Sequence, residues 1–192
     1  MTNMHRALTV AAAVMSLAGV AAAHELVFTA QLTGPAEAPP NASPGVGTST
    51  VTIDVDLSTM RVQAVFSGLL GNVTVVHIHG PTAIAGTGTA GVATPTPSFP
   101  LFPAGNTFGS YDQTFDLTLA SSYNPAFITA SGGTVGQAMN RLIIAFTDGK
   151  AYLNIHSSMF QGGEIRGFYV PTPGAAAVFA VAGLVAGRRR RA

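Results

Sequence analysis

The stretch Thr50-Val51-Thr52-Ile53-Asp54-Val55-Asp56-Leu57 decides the fold class, because apolar and polar residues alternate along it. A period of two places alternate side chains on opposite faces of a β-strand, so one face of this strand is expected to be buried. Other runs rich in Val, Ile, Thr, Phe or Tyr are bounded by turn-forming residues. The predicted strands are 25–32, 48–55, 61–67, 73–79, 113–119, 142–147, 151–156 and 164–170.

This series of short strands predicts an all-β domain. Its glycine-rich turns are typical of a single antiparallel Greek-key β-sandwich or barrel, of superoxide-dismutase-like or immunoglobulin-like type. Two segments interrupt the series. Residues 81–106 form a long excursion rich in proline and glycine. Phe99, Phe102 and Phe108 are expected to fold back over the domain as a lid, and the alternative is an exposed adhesive patch. Residues 124–140 are expected to form one or two short helical turns.

Composition excludes several classes of protein. The chain has 192 residues, of which 47% are hydrophobic and 9% are charged, and this excludes a coiled coil or a charged disordered tail. Residues 24–171 contain four basic and eight acidic side chains, so the body has a net negative charge and is not expected to bind nucleic acid. The chain contains no cysteine, which excludes disulfides and cysteine-based metal sites.

The first 23 residues have the pattern of a signal peptide. Arg6 precedes an apolar run at 7–20 and three small residues at 21–23, so we expect a signal helix that signal peptidase removes before His24. The alternative is an uncleaved anchor helix, for which the run is short. The body, residues 24–170, is therefore expected to be exported.

Residues 171–192 have the layout of a sorting tail. A proline motif precedes an apolar segment at 175–187, which is expected to form a short transmembrane helix in the inner membrane. The defining residues are Pro171 and Pro173 and the arginines Arg188, Arg189, Arg190 and Arg191. This layout resembles the PEP-CTERM signal of bacterial surface proteins, although Thr172 replaces the favoured Glu. The resemblance implies an exosortase-type sorting enzyme and delivery to the cell surface or extracellular matrix.

A second resemblance covers nearly the whole body. The motifs that carry it are Phe28-Thr29-Ala30-Gln31-Leu32-Thr33-Gly34, Glu37-Ala38-Pro39-Pro40, the 45–50 turn, Phe66-Ser67-Gly68-Leu69, His77-Ile78-His79-Gly80-Pro81, Ala151-Tyr152-Leu153-Asn154-Ile155-His156-Ser157 and Gly162-Gly163-Glu164-Ile165-Arg166-Gly167. In this order the set resembles the CHRD domain, first named from chordin. Gly80, Asn154, Gly163, Glu164, Arg166 and Gly167 are accordingly expected to be structural motif residues.

Three histidines are the candidate metal ligands. His77 and His79 lie two apart on one predicted strand and share a face, while His156 lies on another strand. Three neutral imidazoles suit copper, zinc or nickel, so copper or zinc is the candidate cofactor. The spacing also resembles the HxH copper motif of Cu/Zn superoxide dismutase, without that enzyme's further histidines and cysteines. The alternative is purely structural: the rings hydrogen-bond backbone carbonyls of the loop after Gly80.

Two pairs of charged or turn residues are expected to be structural. Glu164 and Arg166 lie two apart on the last predicted strand. Arg166 is expected to bridge a carboxylate or backbone carbonyls, and Glu164 is expected to pair with it across strands. Asp148-Gly149 predicts a hairpin turn. No nucleophile and base with recognisable spacing are present, so no catalytic residue and no enzymatic activity are expected.

Two functions are compatible with this sequence. The first is a non-enzymatic binding or structural module at the cell surface or in the matrix, with an extracellular polysaccharide or protein as its ligand. The second is a copper- or zinc-binding protein, with possible redox activity, that uses His77, His79 and His156. The two differ in whether the histidines bind an ion.

Overall fold

The computed structural model describes residues 24–172, which form one eight-stranded antiparallel sheet. The strands are β1 (Glu25–Thr33), β2 (Val46–Asp54), β3 (Thr59–Ser67), β4 (Val73–His79), β5 (Gly109–Asp116), β6 (Tyr152–Ser157), β7 (Ile165–Phe168) and β8 (Val170–Pro171). Their order across the sheet is β4-β6-β7-β1-β2-β3-β5, and β8 pairs with β1. The predicted β class is confirmed, and its architecture is a single sheet curled into a half-barrel.

The alternating stretch that predicted the class lies in β2. Val51 and Ile53 are fully buried, as the period of two required. The strand ends at Asp54, because the Asp54 carboxylate accepts hydrogen bonds from the backbone amides of Asp56 and Leu57. Leu57 is therefore exposed in the turn that leads to β3.

The hydrophobic core lies on the inner face of the curled sheet. One helix, α2 (Val135–Thr147), packs on this face and buries Ala138, Leu142, Ala145 and Phe146. The Phe146 ring lies 5.2 Å from that of Phe28 on β1 and 5.0 Å from that of Tyr169. The helix thus covers the inner side of the sheet and fixes which face remains for a surface site.

The predicted strand at 142–147 is wrong, because these residues form the second half of α2. A short apolar run does not distinguish a strand from a buried helix, and here the helical spacing of the buried side chains decides. The helical turns predicted near 124–140 are confirmed as α1 (Pro125–Ala130) and the start of α2. Asp148-Gly149 ends α2 rather than forming a hairpin, and Gly149 takes the left-handed conformation, with φ 66°, that glycine tolerates there.

A cap at the start of α2 gives a first testable prediction. The Thr134 hydroxyl accepts a hydrogen bond from the amide of Gln137. Thr134→Ala is expected to lower the free energy of unfolding by about 1 kcal/mol, because one amide of the first turn loses its partner. Urea unfolding of the full chain measures this, and Thr134→Ser, which keeps the hydroxyl, serves as the control. Equal losses in both variants would contradict the capping role.

The proline-rich excursion fills the gap between the two edges of the sheet. Its backbone bonds to the β4 edge, where the amide of Phe99 donates to the carbonyl of Val76. The Phe99 ring lies 5.2 Å from Phe115 on β5, and Tyr111 on β5 donates to the carbonyl of Pro100. Phe99 and Phe102 are buried as the expected lid, whereas Phe108 is 67% exposed. β5 itself begins four residues before the predicted strand at 113–119.

The two terminal predictions fall mainly outside the described residues. The signal helix at 1–23 and the tail from Pro173 onward, including the four arginines, lie beyond residues 24–172. Pro171 is described, and it pairs with Phe28 at the end of the sheet. Within residues 24–172, no helix has both the length and the apolar character needed to cross a membrane.

Candidate metal centre

Three histidines meet on the outer face of the sheet, opposite the core. β4 carries His77 and His79 on this face, because the intervening Ile78 points into the core and is fully buried. β6 lies beside β4 and contributes His156. One nitrogen from each ring lies within 4.8 Å of the other two. The structure thus brings the three candidate ligands together, which their sequence positions left open.

Each ring donates one N–H to a backbone carbonyl of a neighbouring loop. The pairs are His77 Nε2 with Pro97 at 2.6 Å, His79 Nδ1 with Ala90 at 2.9 Å, and His156 Nδ1 with Gln161 at 2.8 Å. Since a carbonyl oxygen only accepts, these bonds place the proton on the bonded nitrogen of each neutral ring. The second nitrogen of each ring is left with a free lone pair.

These second nitrogens have no partner. His77 Nδ1, His79 Nε2 and His156 Nε2 are buried and make no hydrogen bond within residues 24–172. An unsatisfied buried polar group costs about 1–3 kcal/mol, so three such nitrogens on neighbouring rings destabilise the metal-free state. A bound cation would compensate all three lone pairs at once.

Burial keeps the His77 and His79 rings neutral. His77 is 7% exposed and His79 is 9% exposed, and this desolvation lowers the pKa of both, that of His79 to about 4. The hydrogen bonds to Pro97 and Ala90 oppose the shift, while the neighbouring rings add to it. Neutral imidazole is the form that binds metal ions, so His77 and His79 are ready ligands at neutral pH.

An aromatic and a cationic side chain line one side of the three-histidine centre. The Tyr152 ring stacks on His79, with centroids 4.9 Å apart and planes 7° apart. Arg166 lies on β7, and its guanidinium is 5.0 Å from the centre of the Tyr152 ring. This layered packing fixes the orientation of the His79 ring.

Arg166 ties two loops over the outer face. Its Nε donates to the carbonyl of Ala36, and its Nη1 donates to the carbonyl of Gly88 at 3.0 Å. The Glu37 carboxylate lies 3.8 Å from Nε, and both side chains are almost fully buried. Arg166 therefore has the bridging position that the sequence suggested, with Glu37 as its acidic partner.

Glu164 does not pair with Arg166 across strands, so the prediction for this residue is wrong. Its carboxylate accepts hydrogen bonds from the Ser43 hydroxyl and from the backbone amides of Leu70 and Gly71. These bonds outweigh the desolvation and lower the pKa of Glu164. Glu164 thus joins the loop before β4 to the start of β7.

Two motif glycines are required by close approaches. Gly167 faces the backbone of Gln31, and a Cβ would collide with the Gln31 carbonyl. Gly163 has φ 129°, and a Cβ there would overlap the side-chain amide of Asn154 and the carboxylate of Glu37. Both positions exclude larger residues for steric reasons.

The pH dependence of stability tests the environment of Glu37. Burial raises the pKa of Glu37 from 4.5 to about 7, although Arg166 and the amide of Ala38 oppose the shift. The folded state therefore holds a proton that the unfolded state releases between these values, so the contribution is present at pH 4 and lost as pH rises through 7. Its expected size is about 2 kcal/mol after discounting for solvent screening.

The measurement compares wild type with Glu37→Gln by urea unfolding between pH 4 and 8. Glutamine is isosteric with the protonated acid and does not titrate. The stability of wild type relative to Glu37→Gln is expected to fall with rising pH. A constant difference across this range would show that the Glu37 carboxyl is not perturbed.

Several residues of the centre were not identified from the sequence. Glu37 belongs to the motif Glu37-Ala38-Pro39-Pro40, and no local pattern connects it with Arg166. Tyr152 was not identified either, although its even spacing from His156 on β6 puts both side chains on one face. The acceptor carbonyls of Ala90, Pro97 and Gln161 carry no side-chain signal.

The body matches a known family. The family model described as CHRD domain matches residues 28–169, which include all three histidines and the strands from Phe28 in β1 to the end of β7. No curated protein and no solved structure matches the chain.

Proposed function

Since the chain belongs to the CHRD family, we propose that it is an exported CHRD module that binds one copper or zinc ion through His77, His79 and His156. The observation that carries this proposal is that one nitrogen of each ring lies within 4.8 Å of a nitrogen of the other two, and that each ring has one buried nitrogen without a hydrogen-bond partner. Three nitrogens bound to one ion at about 2.0–2.1 Å lie about 3.3–3.6 Å apart, so nitrogens that are up to 4.8 Å apart have to approach by as much as about 1.5 Å when the ion binds.

The hydrogen bonds to the loops support the metal function rather than replace it. Metal-binding histidines generally donate their other N–H to a carbonyl or carboxylate, which fixes the tautomer and the ring orientation. Here all three rings have such a carbonyl. A purely structural role would account for these three bonds but not for the buried second nitrogen that each of the three neighbouring rings leaves without a donor.

Export is the second part of the proposal. It is supported by the signal-peptide pattern of residues 1–23 and by the sorting-tail layout of residues 171–192. The partners would be signal peptidase, an exosortase-type enzyme and, before processing, the inner membrane. The cell surface or extracellular space is then the place where the module acts.

The module can also have a macromolecular ligand, as the sequence suggested. A surface groove of about 790 Å³ runs between residues 95–100 and the β5 edge. Its lining includes prolines, Phe99, Phe115 and hydroxyl side chains, which suit an extended polysaccharide or peptide. This binding role is compatible with a metal-bound or a metal-free module.

Metal analysis tests the proposed function. The full chain, produced without a histidine tag, is incubated with copper or zinc, desalted and analysed for metal content. We expect one ion per chain in wild type and none in the His77→Ala/His79→Ala double variant. If wild type also retains no ion, the histidines are structural and the proposal fails.

A further inference from the structure

The structure further indicates which ion the centre prefers: we propose that it is selective for monovalent copper. This inference rests on the proposed function and specifies its ligand. It follows from the charge of the ligand set, the number of donors and the closure of the site, each of which is visible in the described residues.

The ligand set carries no negative charge. The potential metal-binding group consists of three histidines, and no Asp or Glu in residues 24–172 belongs to it. In a buried site the desolvation cost of an ion grows with the square of its charge, so a divalent ion costs about four times as much as a monovalent one. Without a carboxylate, a divalent ion would keep its full charge inside the protein.

A nearby cation strengthens this preference. Arg166 stacks on Tyr152, and Tyr152 stacks on His79, so a guanidinium lies one aromatic ring away from a ligand. Glu37 accompanies Arg166 at 3.8 Å, and its carboxyl is itself partly protonated near neutral pH. The electrostatic environment of the three nitrogens therefore penalises each added positive charge.

The number of donors also favours monovalent copper. Structural zinc sites almost always have four ligands, and catalytic zinc sites have three protein ligands and an open position for water. Here the three free nitrogens are themselves shielded from solvent, and the two other unpartnered side-chain oxygens, Asn154 Oδ1 and Glu37 Oε1, lie against Gly163. Monovalent copper is stable with three nitrogen donors, whereas divalent copper prefers four in a square arrangement.

The test is a competition titration of the full chain without a tag. Cu(I) is held reduced under anaerobic conditions and competed with a chromogenic Cu(I) chelator, and Zn(II) is competed with a zinc-binding dye. We expect one Cu(I) per chain with an affinity at least 100-fold higher than that for Zn(II). X-ray absorption of the Cu(I)-loaded chain is expected to show three nitrogen donors.

Two results would contradict these proposals. If Zn(II) binds as tightly as Cu(I), or more tightly, and the His77→Ala/His79→Ala variant binds neither, the proposed metal site stands and the selectivity is overturned. If wild type binds neither ion more tightly than this variant does, the proposed function fails as well.

Asn154→Asp is a variant that tests the charge argument separately. Asn154 pairs with His77 across the β4–β6 ladder and lies on the same face, so the substitution adds a carboxylate beside the centre without changing side-chain size. The ratio of Cu(I) to Zn(II) affinity is expected to fall by about tenfold. An unchanged ratio would contradict the role assigned to charge.

Discussion

Loading the centre with copper is expected to raise the Tm of the full chain by about 5–10 °C. A ligand that binds only the folded state, at a free concentration 100 times its Kd, stabilises it by about 2.7 kcal/mol. For a domain of this size, each kcal/mol corresponds to about 2–4 °C. Thermal unfolding with and without Cu(I), under anaerobic conditions, measures the shift.

Single substitutions separate this effect from ordinary loss of packing. His77→Ala, His79→Ala and His156→Ala are each expected to abolish the metal-dependent increase, because each removes one of three donors. Their metal-free stability changes less, because each variant loses a hydrogen bond to a loop and also a buried nitrogen that had no partner. The increase caused by metal, rather than the stability itself, is therefore the decisive quantity.

His24→Ala is the matched control for these variants. The His24 ring lies 3.4 Å from the Asp56 carboxylate and is exposed, outside the three-histidine group. This variant should keep the full increase in Tm. An increase that survives in His77→Ala, or that disappears in His24→Ala, would place the bound ion elsewhere.

Arg166→Ala is expected to cost about 3 kcal/mol or more of unfolding free energy. The substitution leaves the carbonyls of Ala36 and Gly88 without a donor and removes the cation beside buried Glu37. Loss of one partner of a buried ionic network leaves uncompensated groups behind, which is why the cost is large. Urea unfolding at pH 7 measures it.

Arg61→Ala is the control for Arg166→Ala. Arg61 makes a bidentate hydrogen-bonded pair with Asp112, but both side chains are about half exposed on the sheet surface. Exposed pairs contribute little to stability, so a much smaller loss is expected. Equal losses in the two variants would show that Arg166 does not hold the two loops together.

The sequence predicted much of the local structure of the site and little of its environment. Period-two alternation was sufficient to place His77 and His79 on one face of β4. The helical spacing in 135–147 was obscured by the apolar run at 142–147, which also fits a strand. Glu164 shows the limit, because its partners Ser43 and Leu70 are far away in the chain. Local patterns do not specify such long-range contacts.

The sequence alone determined the β class, the motifs of the CHRD family and the shared face of two histidines, because these depend on residue type and on spacing within one strand. Only the tertiary structure decided that His156 joins them, since that requires β4 and β6 to pair although 72 residues lie between the two strands in the chain. It also decided which nitrogen of each ring stays free. The carbonyls of Pro97, Ala90 and Gln161 fix each tautomer, and the way in which these loops pack against the sheet brings the carbonyls to the rings.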